Sequence, residues 1–231
     1  MYLTTDTIDY TQVARFAYNL GCATVDIMRL RLLLPKNTPE EVLLAKGMSF
    51  RKENKIIALP KQGYILFGGR NPELRIQKNK DEQLVDDGRK FDFHYAKGYN
   101  AYVVVNQMDT DTAEFAKGQD SDITGGRALF YEIDDLTIAE QWNRLRALEE
   151  QLGRSATMVV KTKKSLHCYF TLEAPCSVDE WVVFQQRLIQ RMNSDPSLWN
   201  PARLMRLPGF PYRSYEDGDI RDVAQVEIVE E

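Results

Sequence analysis

The chain has 231 residues, 43% of them hydrophobic, a formal net charge of −4 and three cysteines, Cys22, Cys168 and Cys176. That is enough apolar material for one large domain or two small ones. No apolar run of about 18 residues exists to form a transmembrane helix, the N-terminus lacks the basic and apolar regions of a signal peptide, and the cysteines lack the spacing of a zinc ribbon or a disulfide framework. The expectation is a cytoplasmic protein with reduced thiols and no membrane partner.

Residues 8–34 read as helix: Val13, Phe16, Ala17 and Leu20 recur at helical spacing, Ile27, Leu30, Leu32 and Leu33 continue the pattern, and Pro35 ends it. Gly63 to Gly69 reads as a strand closed by a glycine turn. Residues 70–97 are highly charged and read as loop mixed with short elements. Ala101 to Val105 is a strand, and the polar, acidic stretch from Asp109 to Gly126 reads as a long loop.

The second half is more sharply patterned. Ala128-Leu129-Phe130-Tyr131 is apolar and aromatic, so a strand is expected to run on into Glu132-Ile133-Asp134-Asp135. A helix follows at 138–152 with Trp142, Leu145, Leu148 and Leu152 on one face and Gly153 as its stop. Strands are expected at Ala156 to Thr162 and Ser165 to Leu172. A helix at 178–193, capped by Ser177, turns Trp181, Phe184 and Leu188 inward. Two more strands fall at Arg203 to Leu207 and Ala224 to Val229. The order β-α-β-β-α-β is the split β-α-β arrangement of ferredoxin-like and RNA-recognition-type (RRM-like) folds.

On a strand, Glu132 and Asp134 share one face, and two adjacent carboxylates repel each other unless a cation lies between them. Oxygen-only ligation suits Mg²⁺ or Mn²⁺. Asp195, where the chain returns from the second helix, supplies a third acid, and three carboxylates suffice for two cations. A plainer role exists for each: Asp134 or Asp135 as a helix cap, Asp195 as the start of a turn. Lys163, Ser165 and His167 alternate, so a single strand face would offer a point charge, a hydroxyl and an imidazole to a triphosphate. Arg203 and Arg206 bracket an apolar pair, with guanidinium groups suited to phosphate or to bracing the acids. Pro208-Gly209 forces a turn ahead of Arg213. Charge is distributed to match: from Arg154 to Arg213 nine basic residues face four acids, leaving +5, whereas from Ser214 onward seven acids meet one base. A basic patch beside carboxylates suits a phosphate-bearing substrate.

Taken together these elements resemble the archaeo-eukaryotic primase superfamily in its primase-polymerase branch, and the plasmid, phage and bacterial replication primases in particular. The resemblance rests on Glu132-Ile-Asp134, on Lys163-Lys-Ser165-Leu-His167, and on Asp195 followed eight and eleven residues later by Arg203 and Arg206, and covers roughly residues 100–213. The first motif is Glu-x-Asp where many relatives carry Asp-x-Glu or Asp-x-Asp, and Arg213 is the nearest match to a lysine found past the Pro-Gly turn. The resemblance implies an α+β catalytic core, with an N-terminal helical and α/β module over residues 1–99 packed against an RRM-like catalytic module over 100–231. It also implies a DNA primase-polymerase that transfers nucleotides from dNTPs or NTPs to primers on a single-stranded DNA template. Glu132, Asp134 and Asp195 would bind two metal ions, while Lys163, Ser165, His167, Arg203, Arg206 and Arg213 would contact the nucleotide. A helicase domain or subunit is a possible partner. Two alternatives stand beside this reading. One is a metal-dependent nuclease or nicking initiator, for which the two histidines, His94 and His167, are far apart in sequence. The other is a non-catalytic RRM-like binding module, for which two carboxylates make a poor sheet face.

Overall fold

Asp9 opens the first helix, accepting hydrogen bonds from the amides of Thr11 (2.9 Å) and Gln12 (3.3 Å). This helix, α1 (Tyr10–Asn19), buries Val13, Phe16 and Ala17 and stops at Gly21, which adopts a left-handed conformation at φ 68°. The chain then returns as strand β1 (Ile27–Leu33), so the helix expected to reach Pro35 is two elements. In β1, Met28, Leu30 and Leu32 fall on one buried face with the two-residue period of a strand, a pattern that the spacing of Ile27 and Leu30 had disguised. The computed structural model describes residues 8–22, 27–52, 55–58, 61–66, 72–80, 83–90, 97–108 and 118–230. The expected glycine turn at Gly68-Gly69, His94, and most of the loop beginning at Asp109 lie outside them.

A short helix α2 (Glu40–Ala45) and a hairpin of β2 (Ser49–Lys52) and β3 (Lys55–Ala58) precede β4 (Lys61–Leu66). The charged stretch expected to mix loop with short elements contains two long paired strands, β5 (Glu73–Lys80) and β6 (Gln83–Lys90). Leu74 and Ile76 supply the core-facing side of β5, alternating with Glu73 and Arg75, and Gln77 on the opposite face is buried as well. With β7 (Asn100–Val104) and β12 (Leu204–Arg206), these strands form a sheet in the order β12-β7-β1-β4-β5-β6, which draws strands from both sides of residue 99.

The second sheet has the order β15-β10-β11-β9-β8, from β8 (Gln107–Met108), β9 (Ile123–Tyr131), β10 (Met158–Lys161), β11 (Leu166–Cys176) and β15 (Glu227–Val229). Helix α3 (Ile138–Leu152) follows β9, and α4 (Val178–Met192) follows β11; each begins with a reciprocal cap, Thr137 with Glu140 and Ser177 with Glu180. Antiparallel β11 lies between β9 and β10, as in a split β-α-β unit. The closing strand, however, pairs with β10 rather than with the outer edge of β9. That edge pairs with β8 at Ile123 and Gly125, and farther along it is occupied by side chains of α4. Trp181 Nε1 donates to the Ala128 carbonyl (2.8 Å), while the Gln185 amide accepts from the Phe130 amide (3.1 Å) and donates to its carbonyl (2.6 Å). Between α4 and β15 the chain crosses to the first sheet as β12 and forms the hairpin of β13 (Pro211–Glu216) and β14 (Asp219–Gln225). One buried cluster joins α1, the first sheet, Phe130, Tyr169 and Trp181, with Phe16 edge-on to Tyr169 at 5.6 Å. Among the described residues no helix is long and apolar enough to cross a membrane.

β9 begins at Ile123, so Gly125 and Gly126 belong to a strand and not to the preceding loop. Glycine is needed at 126 because the Trp181 ring packs directly on it: a Cβ there would lie 2.3 Å from Trp181 Cδ1. Gly126→Ala should therefore cost about 1–3 kcal/mol, the usual penalty of overpacking, read as a lowered urea midpoint with an unchanged slope.

Candidate active site

β9 ends at Tyr131, so Glu132 and Asp134 lie just past the strand that was expected to run on through them. The alternation nevertheless persists: Ile133 is buried among Tyr131, Leu145 and Leu166 on the helix side, and Glu132 and Asp134 turn to the other side. There they line a cavity of about 810 Å³ that also takes in the end of β1, β7, the β10–β11 turn, and the chain from Asn200 to Tyr215.

Glu132 is the most heavily braced of the acids. Its Oε2 lies 2.7 Å from His167 Nε2 and accepts from Ser165 Oγ (3.3 Å). Ser194 Oγ donates to its backbone carbonyl (2.7 Å), which fixes the chain at that point. Burial alone would raise the carboxyl's pKa, but the neighbouring imidazole, the Arg203 charge and the Ser165 hydroxyl outweigh it and hold it at about 2. A carboxylate with a folded pKa depressed from 4.5 to about 2 stabilises the fold fully above pH 4.5, and that contribution is lost as pH falls towards 2. The chelator-treated wild type should accordingly lose on the order of 3 kcal/mol between pH 5 and pH 2 that Glu132→Gln does not lose. Urea titrations at the two pH values check it; equal acid losses in the two proteins would refute it.

Among the described residues the Asp134 carboxylate has no hydrogen bond or ion pair, and it is exposed. It is not a helix cap, a role that falls to Thr137. Asp195 does start a turn: its carboxylate accepts from the Ser197 amide (2.8 Å) and hydroxyl (2.7 Å) at the head of a 3₁₀ turn, and pairs with Arg203 at 3.1 Å. It stands outside the cavity lining and is linked to it through Arg203.

Ser165 and His167 both line the cavity, whereas Lys163 does not. Residues 162–165 form a tight turn, with Thr162 Oγ1 accepting from the amides of Lys164 (3.2 Å) and Ser165 (3.1 Å), so strand alternation does not extend back to 163. Lys163 pairs instead with Glu216 at 2.5 Å, and Lys164 is the lysine that faces the cavity. Arg206 lies over the Tyr212 ring at 3.7 Å and the Tyr102 ring at 4.9 Å, and donates to Asn100 Oδ1 (2.9 Å). Arg213 is buried and committed to structure, its Nε 2.6 Å from Asp222 Oδ1 and its Nη1 on the Tyr99 carbonyl. Asn100, which the sequence reading passed over, joins these two arginines: its Oδ1 also accepts from the Arg213 amide (2.7 Å) and its Nδ2 donates to the Arg213 carbonyl (3.0 Å). A lone asparagine beginning a strand carries no sequence signal of such a role. Tyr102 and Tyr212 were equally unmarked.

Among the described residues no group of three His, Cys, Asp or Glu side chains is gathered closely enough to hold a metal ion. The donor chemistry fits a hard divalent cation all the same. Both contacts to Glu132 fall on Oε2, leaving Oε1 without a hydrogen bond among the described residues, and the neighbouring Asp134 carboxylate has no partner. Asp195 would have to leave Arg203 and Ser197 to join them.

Two sheets meeting around a polar cavity, one of them built on a split β-α-β unit, define an α+β fold, and it is that of the archaeo-eukaryotic primase-polymerase domain. The chain is similar over 97% of its length to 91% of the primase-polymerase domain of cyanophage S-2L, with a TM-score of 0.59 and 22% sequence identity. Lesser similarities, at 12% identity each, are to the primase RepB′ (TM-score 0.49, 96% of this chain and 56% of that one) and to the polymerase domain of Mycobacterium tuberculosis Ligase D (TM-score 0.42, 90% and 80%). No family model matches the sequence, and no curated protein is significantly similar to it.

Proposed function

We propose that this chain is a DNA primase-polymerase: a nucleotidyltransferase that makes or extends primers on single-stranded DNA from dNTPs or NTPs. The observation that carries the reading is the braced Glu132 beside the unpartnered Asp134, in a cavity that also holds Ser165, His167, Lys164, Arg203 and Arg206. A fold shared with a primase-polymerase domain supports it. So do motifs whose order and spacing resemble that superfamily's. Residues 1–99 and 100–231 would act as two modules sharing the first sheet, with template between them, and a helicase domain or subunit is a natural partner.

In this reading the cationic side chains bind the triphosphate. Arg203 and Lys164 offer charge to the phosphate oxygens, and Ser165 offers a neutral hydroxyl donor. Arg206, held flat by Tyr102, Tyr212 and Asn100, presents a rigid fork rather than a swinging chain, so little ordering entropy remains to be lost on binding. His167 and Ser165 fix the Glu132 carboxylate, and Glu132 with Asp134 would hold Mg²⁺ or Mn²⁺. The bound cations would supply a lowered pKa for the attacking 3′-hydroxyl and neutralisation of the charge that builds on departing pyrophosphate. The 3′-oxygen forms the new bond to the α-phosphorus as the bond to the bridging α–β oxygen breaks, with the hydroxyl proton released to solvent and pyrophosphate as the leaving group. No side chain forms a covalent intermediate.

The test is incorporation of labelled nucleotide on single-stranded template, with and without primer, in Mg²⁺ and in Mn²⁺. Product without primer identifies priming, and product only with primer identifies extension. Template bound but no product under any of these conditions would contradict the proposal and favour a binding module.

A further inference from the structure

Leu152 and Phe184, both expected from their spacing to be buried, are exposed at 45% and 43%. They line a surface groove of about 470 Å³ between α3 and α4. Its floor is the helix-facing side of the second sheet: Leu129 of β9, and Phe170 and Leu172 of β11. The pleat puts this groove opposite the candidate active site, since in β11 Phe170 and Leu172 point to the helices and His167 to the cavity. A groove lined by leucines and phenylalanines remains costly to leave in water.

Its rim carries charge of one sign. Arg154, Arg187 and Arg191 line the groove, and among the described residues no carboxylate does. Arg154 donates to the Thr171 carbonyl (3.2 Å) and Arg191 to Gln151, while Arg187 has no hydrogen bond; none of the three is in an ion pair among the described residues. Three unneutralised guanidinium groups around an apolar trough, on a chain whose net charge is −4, form a local positive feature that the rest of the surface does not require.

We infer that this groove is a docking site for an acidic amphipathic segment of another protein, which seats large apolar side chains on Leu129, Phe170 and Phe184 and pairs its carboxylates with Arg154, Arg187 and Arg191. Helix-in-groove recognition works in this way, the apolar contacts giving affinity and the rim charges setting orientation and partner choice. Because the groove is on the face away from the cavity, a partner held there leaves the cavity open.

The test uses the full chain and a fluorescein-labelled synthetic helix with leucines at one face and glutamates elsewhere, followed by fluorescence anisotropy. A second peptide has every glutamate replaced by glutamine. The glutamate peptide should bind, more weakly as salt rises, and Arg187→Glu and Phe184→Glu should each weaken it by about tenfold or more. Both positions are exposed, so the variants should remain folded, as circular dichroism will verify. Equal binding of the two peptides, binding unchanged in both variants, or no binding would overturn the proposal. So would a dimer in sedimentation velocity that dissociates in Phe184→Glu, since the groove would then be covered by a second copy of this chain.

Discussion

Replacing Glu132 and Asp134 together by alanine should abolish nucleotide incorporation, with a loss of about a hundredfold to a thousandfold or more, while template binding falls little. The expectation rests on what each side chain does in the fold. Asp134 is exposed and makes no hydrogen bond or ion pair among the described residues, so removing it costs no stability, and any loss of activity reports on chemistry. Glu132 differs, because its removal leaves His167 buried with no carboxylate; His167 Nδ1 already lacks a partner among the described residues. Asp134→Ala alone is therefore the cleaner variant, and Glu132→Gln separates charge from shape. A primer-extension time course checks this, with electrophoretic mobility shift on single-stranded DNA as the control. Near-normal incorporation by Asp134→Ala would remove the basis for the carboxylate assignment.

Trp181→Ala should be the most destabilising single change around the second sheet, at about 3–5 kcal/mol. On a chain of this size that is a fall in Tm of roughly 6–20 °C. Trp181 is fully buried, packs on Gly126 and against Phe130 at 5.8 Å, and donates to the Ala128 carbonyl. Truncation opens a cavity and strands that carbonyl in the same step. Trp181→Phe keeps most of the packing and loses only the donor, so it should cost nearer 1–3 kcal/mol. Differential scanning calorimetry of the three proteins distinguishes the two contributions. A near-native Tm for Trp181→Ala would mean that α4 does not hold the edge of β9.

That edge also explains where the sequence was readable. The helix at 138–152 carried its stop in Gly153 and the helix from 178 its cap in Ser177, so those two boundaries could be read locally, whereas the first helix is capped by Thr137 and not by Asp134 or Asp135. The position of β15 could not, because it depends on Trp181 and Gln185 reaching β9 from an element more than fifty residues away. Residues 8–34 misled for a different reason: Ile27, Leu30 and Leu33 satisfy a helical period by coincidence, while Gly21 and the alternation of Met28, Leu30 and Leu32 signal a break and a strand.

The site divides along the same line. Glu132, Asp134, Ser165 and His167 share a cavity because strand alternation, which is local, puts them there. Lys163 fails where the strand gives way to a turn, and Lys164 takes its place. Asn100 was illegible, since nothing near it in sequence reports that Arg206 and Arg213 will meet it from over a hundred residues away.

The most direct measurement is anomalous diffraction from crystals grown with Mn²⁺ and a non-hydrolysable dNTP analogue. A manganese peak is expected at coordination distance from Glu132 Oε1 and the Asp134 carboxylate, with the triphosphate reaching towards Arg203 and Arg206. Triphosphate bound elsewhere, or manganese absent from these two carboxylates while the nucleotide is in place, would contradict this expectation.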